Sequence, residues 1–191
     1  MLFTKERELI VYYGKKLKEY KLTIGTSGNI SIFIRDKKLV LITPSGIDYD
    51  EINLEDIVLV DLEGKIIEGT KKPSSELTMH LIFYNNRNDI NALVHVHSLY
   101  ATILACMNMD LPALHYIVGT LGGVDVRCSK YATFGSRELA ENAFAGMKDR
   151  FAVLLANHGL LTGGKDLVDA FNKTLDVEFC SELYCKAKTI G

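Results

Sequence analysis

The chain has 191 residues, 48% hydrophobic and 24% charged, enough apolar material to bury a core without a disulfide or a metal staple. Its 22 basic and 24 acidic side chains leave a net charge of −2, which excludes a strongly basic nucleic-acid binder. The longest unbroken apolar run, Phe151 to Ala156, is far short of the about 20 residues a membrane helix needs, and the charges at Lys5, Glu6, Arg7 and Glu8 would spoil a signal peptide.

No repeat, low-complexity tract or linker interrupts the chain, so a single domain over residues 1–191 is expected. Cys106, Cys128, Cys180 and Cys185 form no CxxC pair and read as free thiols of a cytoplasmic protein. In chain order, Thr4 is expected to cap a helix to about Tyr20, because Leu9, Tyr13, Leu17 and Tyr20 recur every three or four residues. Residues 29–34 and 38–43 alternate and read as a hairpin turning at Arg35-Asp36-Lys37. Residues 56–61 read as a strand that turns at Glu63-Gly64. Pro73-Ser74-Ser75-Glu76 opens a helix to about Tyr84, with Ser74 or Ser75 as its cap. Further strands are expected over 91–98, 124–128 and 151–157. Helices are expected over 99–108, from a Ser136 cap to Lys148, and over 166–188. The early hairpin meander favours a mostly antiparallel, mixed sheet faced by helices over a doubly wound parallel sheet.

The sharpest chemical signal is His95-Val96-His97. Strand side chains alternate, so His95 and His97 share one face. His158 follows the apolar strand 151–156. If the two strands lie side by side, all three imidazoles converge, and that set suits Zn²⁺ with a position open for chemistry. Two buried, hydrogen-bonded histidines are the competing reading. Gly25-Thr26-Ser27-Gly28-Asn29, Thr43-Pro44-Ser45-Gly46 and Pro73-Ser74-Ser75 each join small hydroxyl residues to glycine or a helix start. Such segments offer backbone N–H groups to a phosphate, and equally serve as plain turns or caps. Glu76 sits beside them as a dipole-compensating acid, a fourth metal ligand or a proton carrier. His80, four residues on, could ligate as well, but reads better as core packing or support behind the ligands.

These segments, with Asn157-His158-Gly159, Leu111-Pro-Ala-Leu-His-Tyr116 and Tyr131-Ala-Thr-Phe-Gly135, closely resemble the class II aldolases of the aldolase/adducin type, most of all the fuculose-phosphate branch. The likeness runs from about residue 5 to about residue 188. It implies a three-layer α/β/α sandwich and a cyclic homotetramer with active sites between subunits. By the same likeness His95, His97, His158 and Glu76 hold Zn²⁺. Gly28, Asn29, Ser45, Gly46, Ser74 and Ser75 receive the substrate phosphate, and Tyr116 reaches a neighbour's site to exchange a proton. The implied reaction is reversible retro-aldol cleavage of L-fuculose 1-phosphate, or a similar ketose 1-phosphate, to dihydroxyacetone phosphate and L-lactaldehyde. The cleavage passes through a metal-stabilised enediolate, in which Glu76 and Tyr116 are the catalytic pair.

Two alternatives share these motifs. L-Ribulose-5-phosphate 4-epimerases resemble the chain but typically carry aspartate where Glu76 stands. Adducin-head binding modules lose metal ligands that are present here. Relatives of the aldolase type usually have a longer C-terminal tail over the site. The end at Gly191 therefore implies a more open site or weaker discrimination among aldehydes.

Overall fold

A computed structural model describes residues 1–191. The first half of the chain supplies α1 (Thr4–Glu19), β1 (Asn29–Ile34), β2 (Leu39–Ile42), β3 (Val58–Asp61), β4 (Ile66–Glu68) and α2 (Leu77–Asn86). The second half supplies β5 (Ala92–Val96), α3 (Leu99–Cys106), β6 (Leu111–Pro112), β7 (Asp125–Val126), β8 (Cys128–Ser129), α4 (Arg137–Gly146), β9 (Ala152–Leu155), β10 (Gly159–Gly164) and α5 (Leu167–Ile190).

Eight strands form one sheet in the order β4-β3-β2-β1-β5-β10-β9-β8, while β6 and β7 pair apart from it. Every pairing in the large sheet is antiparallel except β8 with β9. The expected mostly antiparallel mixed sheet is therefore present. Alternation sorts its side chains into two cores. Leu41, Leu59, Val94, Val96 and Leu160 pack with Ile10 and Leu17 of α1, Leu104 of α3 and Phe171 of α5. Val40, Val58, Leu93, Val153 and Leu161 pack with Met79 and Phe83 of α2, Leu139 of α4 and Met147 just beyond its end. Helices thus cover both faces, which completes the three-layer α/β/α arrangement.

Local details differ from expectation where tertiary contacts override pattern. Thr4 is the first helical residue and caps nothing; Phe3 precedes it in the left-handed region at φ 58°. Residues 54–56 form a 3₁₀ turn closed by reciprocal Asn53–Asp56 bonds, so the third strand starts only at Val58. The stretch 124–128 divides at Arg127 into β7 and β8, which join different sheets. Ser136 caps α4 as expected, accepting from the Leu139 N–H, and Asp166 caps α5 from just outside it, accepting from the Asp169 N–H. The start of α3 is held from a distance. Glu178 of α5 accepts from Ser98 Oγ (2.7 Å) and from the N–H groups of Tyr100 and Ala101 (2.9 Å each).

The largest difference bears on the site. β9 does not lie beside β5, because β10 stands between them. His158 reaches the other histidines from the β9–β10 turn. Asn157 there is left-handed (φ 56°), a conformation asparagine tolerates, and the His158 N–H donates to the Leu155 carbonyl.

Candidate active site

β5 presents His95 on the α2 side of the sheet, in register with Asn29 of β1 and Leu161 of β10. Val94 and Val96 point into the opposite core, as strand alternation requires. The rings of His95, His97 and His158 stand 4.8–5.0 Å apart between centroids. Their possible ligand nitrogens all lie within 4.8 Å of one another. His95 Nδ1 donates to the Leu160 carbonyl at 2.9 Å, which directs Nε2 at the centre of the cluster. That nitrogen is 3.1 Å from His97 Nε2.

Glu76 closes the group. It sits at the cap position of α2, one residue before the helix, and its side chain makes no cap bond. Neither serine caps α2 as expected. Ser74 Oγ accepts from the Glu76 N–H at 3.2 Å, which shapes the turn that aims the carboxylate inward. Glu76 Oε2 lies 3.1 Å from His95 Nε2 and accepts from Asn29 Nδ2 at 2.9 Å. Oε1 lies 3.5 Å from His158 Nε2 and is buried with no hydrogen-bond partner. The carboxylate is therefore turned toward the histidines and makes no cap bond to the helix.

Electrostatics follow from this packing. Burial opposes ionisation of Glu76, but His95, His158 and the Asn29 amide outweigh it and hold the carboxyl well below the usual carboxylate range. Burial also pulls His95 down, and the adjacent Glu76 carboxylate reverses the sign, so its pKa is raised. Burial, then the charge of His95, pushes His97 and His158 down to about 4. Two neutral imidazoles, a third oriented by a carbonyl and a carboxylate oxygen without a partner form the donor set of a divalent transition cation. The residues fit the metal.

Beside the cluster lies a cavity of about 330 Å³. Gly28, Asn29, Ser45, Gly46, Ser74 and Ser75 all line it, together with Glu76, His97 and His158. Backbone bonds draw the loops together: the Ser45 N–H donates to the Lys72 carbonyl, and the Ser74 N–H to the Thr43 carbonyl. The N–H groups of Gly28, Gly46 and Ser75 make no bond within the chain. No lysine or arginine lines the cavity. His95 is fully buried beneath it. Tyr116 is not among the lining residues; it is 82% exposed, on the 3₁₀ turn 116–121. Tyr131, Phe134 and Asn157 also line the cavity. Sequence reasoning gave these three no role, although each falls within a motif it had marked.

The fold and the histidine cluster are those of a metal-dependent aldolase, and the chain belongs to the class II aldolase family. Residues 8–185 match the Class II Aldolase and Adducin N-terminal domain. The chain is 53% identical over 191 residues to the 5-deoxy-D-ribulose 1-phosphate aldolase of Bacillus thuringiensis serovar kurstaki, covering 100% of this chain and 89% of that protein. It is 41% identical over 163 residues to the L-fuculose phosphate aldolase of Escherichia coli K12, covering 85% and 74%. A solved structure of an L-fuculose 1-phosphate aldolase superposes with a TM-score of 0.97 at 51% identity, covering 100% of this chain and 90% of the other. The chain is thus an enzyme of the aldehyde-lyase type acting in carbohydrate-phosphate metabolism. No helix is long and apolar enough to cross a membrane.

Proposed function

We propose that the protein cleaves a terminally deoxygenated ketose 1-phosphate between C3 and C4, releasing dihydroxyacetone phosphate and a short aldehyde. One observation carries this reading: the Glu76–His95–His97–His158 cluster opens into the same cavity as the free N–H groups of Gly28, Gly46 and Ser75. Phosphate binding falls to those amides and to Asn29, Ser45 and Ser74 around them, since backbone N–H groups receive an anion without a cationic side chain. Zn²⁺ is the cation the three imidazoles and Glu76 suit best. Bound there, it supplies Lewis-acid polarisation of the ketose carbonyl.

The protein's own residues move the protons. As the C3–C4 bond breaks, the C4 hydroxyl gives up its proton and C3 receives one. Glu76, whose Oε1 is unpartnered, delivers the proton to C3, and removes it in the synthetic direction. Tyr116 of a neighbouring subunit exchanges the proton of the C4 hydroxyl. That role and the homotetramer are proposed together: Tyr116 is exposed and lies outside its own subunit's cavity. The four cysteines are unpaired, which supports a cytoplasmic place.

L-Fuculose 1-phosphate, the substrate expected from sequence, shares this role with 5-deoxyribulose 1-phosphate. The full-length relative at 53% identity favours the second. Both sugars end in a methyl group; the five-carbon one yields acetaldehyde and the six-carbon one L-lactaldehyde. Tyr131 and Phe134 give that end apolar wall. L-Ribulose 5-phosphate 4-epimerisation is disfavoured by glutamate at position 76, and an adducin-like binding role by the complete ligand set.

The test is a substrate panel with zinc present, comparing 5-deoxyribulose 1-phosphate, L-fuculose 1-phosphate, L-rhamnulose 1-phosphate and L-ribulose 5-phosphate. Triose phosphate release from a deoxyketose 1-phosphate is the expected result. Epimer formation without triose release would assign the epimerase. A purified chain that binds no metal would favour the binding module.

A further inference from the structure

Behind Glu76 runs a buried chain of polar side chains, of which only Asn29 borders the phosphate cavity. Tyr84 OH lies 2.5 Å from Ser31 Oγ, and Ser31 Oγ lies 2.6 Å from His80 Nδ1. His80 Nε2 lies 2.6 Å from Asn29 Oδ1, and Asn29 Nδ2 donates to Glu76 Oε2 at 2.9 Å. Ser31 and His80 are fully buried, and Tyr84 and Asn29 nearly so. The arrangement follows from two periodicities. Asn29 and Ser31 are two apart on β1 and face α2; His80 and Tyr84 are one turn apart on α2 and face β1.

Only one hydrogen-bond assignment satisfies every link. The Glu76 carboxylate accepts only, so the Asn29 amide must turn its NH₂ toward it. Asn29 Oδ1 then faces His80 and cannot donate, so His80 carries its proton on Nε2. Its Nδ1 must accept, so the Ser31 hydroxyl donates to it, and the Tyr84 hydroxyl shares its one proton between Ser31 Oγ at 2.5 Å and the Ser31 carbonyl at 3.2 Å. Burial drives His80 down to about 3, which matches a neutral ring holding a single proton. Were the Asn29 amide reversed, its oxygen would face a carboxylate oxygen and its NH₂ would face a ring N–H. Both contacts would be lost, and the His80 ring, fully buried, has no water to replace its share.

We propose that His80 is a positioning residue of the aldolase site: it locks the Asn29 amide so that Glu76 Oε2 is held while Oε1 stays free to meet the cation or carry the proton. The inference rests on the aldolase reading above. It adds that the two oxygens of Glu76 have separate duties, and that the division is imposed through Asn29 from the α2 side of the sheet.

Three variants and one spectrum test it. His80→Gln can place an N–H where Nε2 stands and should keep kcat within a few-fold of the parent. His80→Phe keeps a ring but donates nothing. Its kcat should fall roughly 10–100-fold, the scale seen when a ligand's supporting partner is lost, with KM and zinc content little changed. Ser31→Ala removes the donor to Nδ1 and should lower kcat in the same sense by a smaller factor. Equal losses in His80→Gln and His80→Phe, or a loss confined to KM, would overturn the inference. Independently of turnover, ¹⁵N NMR of histidine-labelled protein should find His80 neutral with the proton on Nε2. A proton on Nδ1 would overturn it whatever the activity. If the parent chain releases no triose from any ketose phosphate, the functional reading fails instead, and the NMR result alone decides the orientation of Asn29. If His80→Phe does not fold, the contrast of Ser31→Ala with the parent, together with the spectrum, decides.

Discussion

Glu76 has two oxygens in unlike surroundings, one bonded to Asn29 and one unpartnered. Glu76→Gln keeps the shape and the three histidines but removes both the charge and the proton carrier. Zinc content should persist at lowered affinity, while kcat falls about 10²–10⁴-fold, the usual contribution of a general acid–base group. Steady-state kinetics beside metal analysis check this; near-parental turnover would take Glu76 out of the proton path. His95→Ala removes the imidazole fixed by the Leu160 carbonyl. Metal and activity should both vanish while circular dichroism stays that of the folded chain, because the two apolar cores do not depend on that ring. Unfolding on loss of His95 would instead make the metal structural. Much of this residue-level picture was legible in the sequence. Period-two alternation alone put His95 and His97 on one face, and both line up as expected. Asn29 was legible as the start of a strand and, by resemblance, as a phosphate contact; its hold on Glu76 was not, because that bond spans 47 positions and leaves no local trace.

At the scale of elements, β4, β6 and β10 were hidden from sequence reasoning, and of these β10 shapes the site. Gly159-Leu-Leu-Thr-Gly-Gly164 carries three glycines, a composition that weakens any strand reading. The glycines answer to neighbours. A Cβ at Gly159 would collide with the Val96 carbonyl and the His97 ring, one at Gly163 would press on Ile90, and one at Gly164 would meet the α5 backbone at Ala170. Strand identity was thus given up for close approach, and that approach lets the β9–β10 turn deliver His158 beside His97. The convergence of three histidines was anticipated correctly, although through direct pairing of β5 with β9, which does not occur. Gly159→Ala should therefore damage site and stability together. Displacing the Val96 carbonyl and the His97 ring should cost about 1–3 kcal/mol, the range for overpacking, and weaken zinc binding. Urea unfolding and a metal titration on one preparation read both. Parental values in each would show that β10 can move away from β5 without disturbing the ligands.

For the whole molecule, the proposed assembly turns on Tyr116, which does not line the cavity of its own chain. It lies with Leu99, Met107 and Leu114 among the exposed large apolar side chains, a population that marks interaction surfaces when contiguous. If each site of a ring draws Glu76 from one subunit and Tyr116 from the next, the contact is heterologous, and the two residues can be separated genetically. Tyr116→Phe and Glu76→Gln homo-oligomers should each be nearly inactive. After unfolding, mixing in equal amounts and refolding, random assembly pairs an intact Glu76 with an intact Tyr116 in roughly one quarter of sites, by the closure of a cyclic interface. Activity should rise toward that fraction of the parent and stay absent when the two variants are combined in one chain. No recovery on mixing would place Tyr116 outside any shared site. Full activity in Tyr116→Phe alone would remove its proton-exchange role and with it the chemical reason for an assembly.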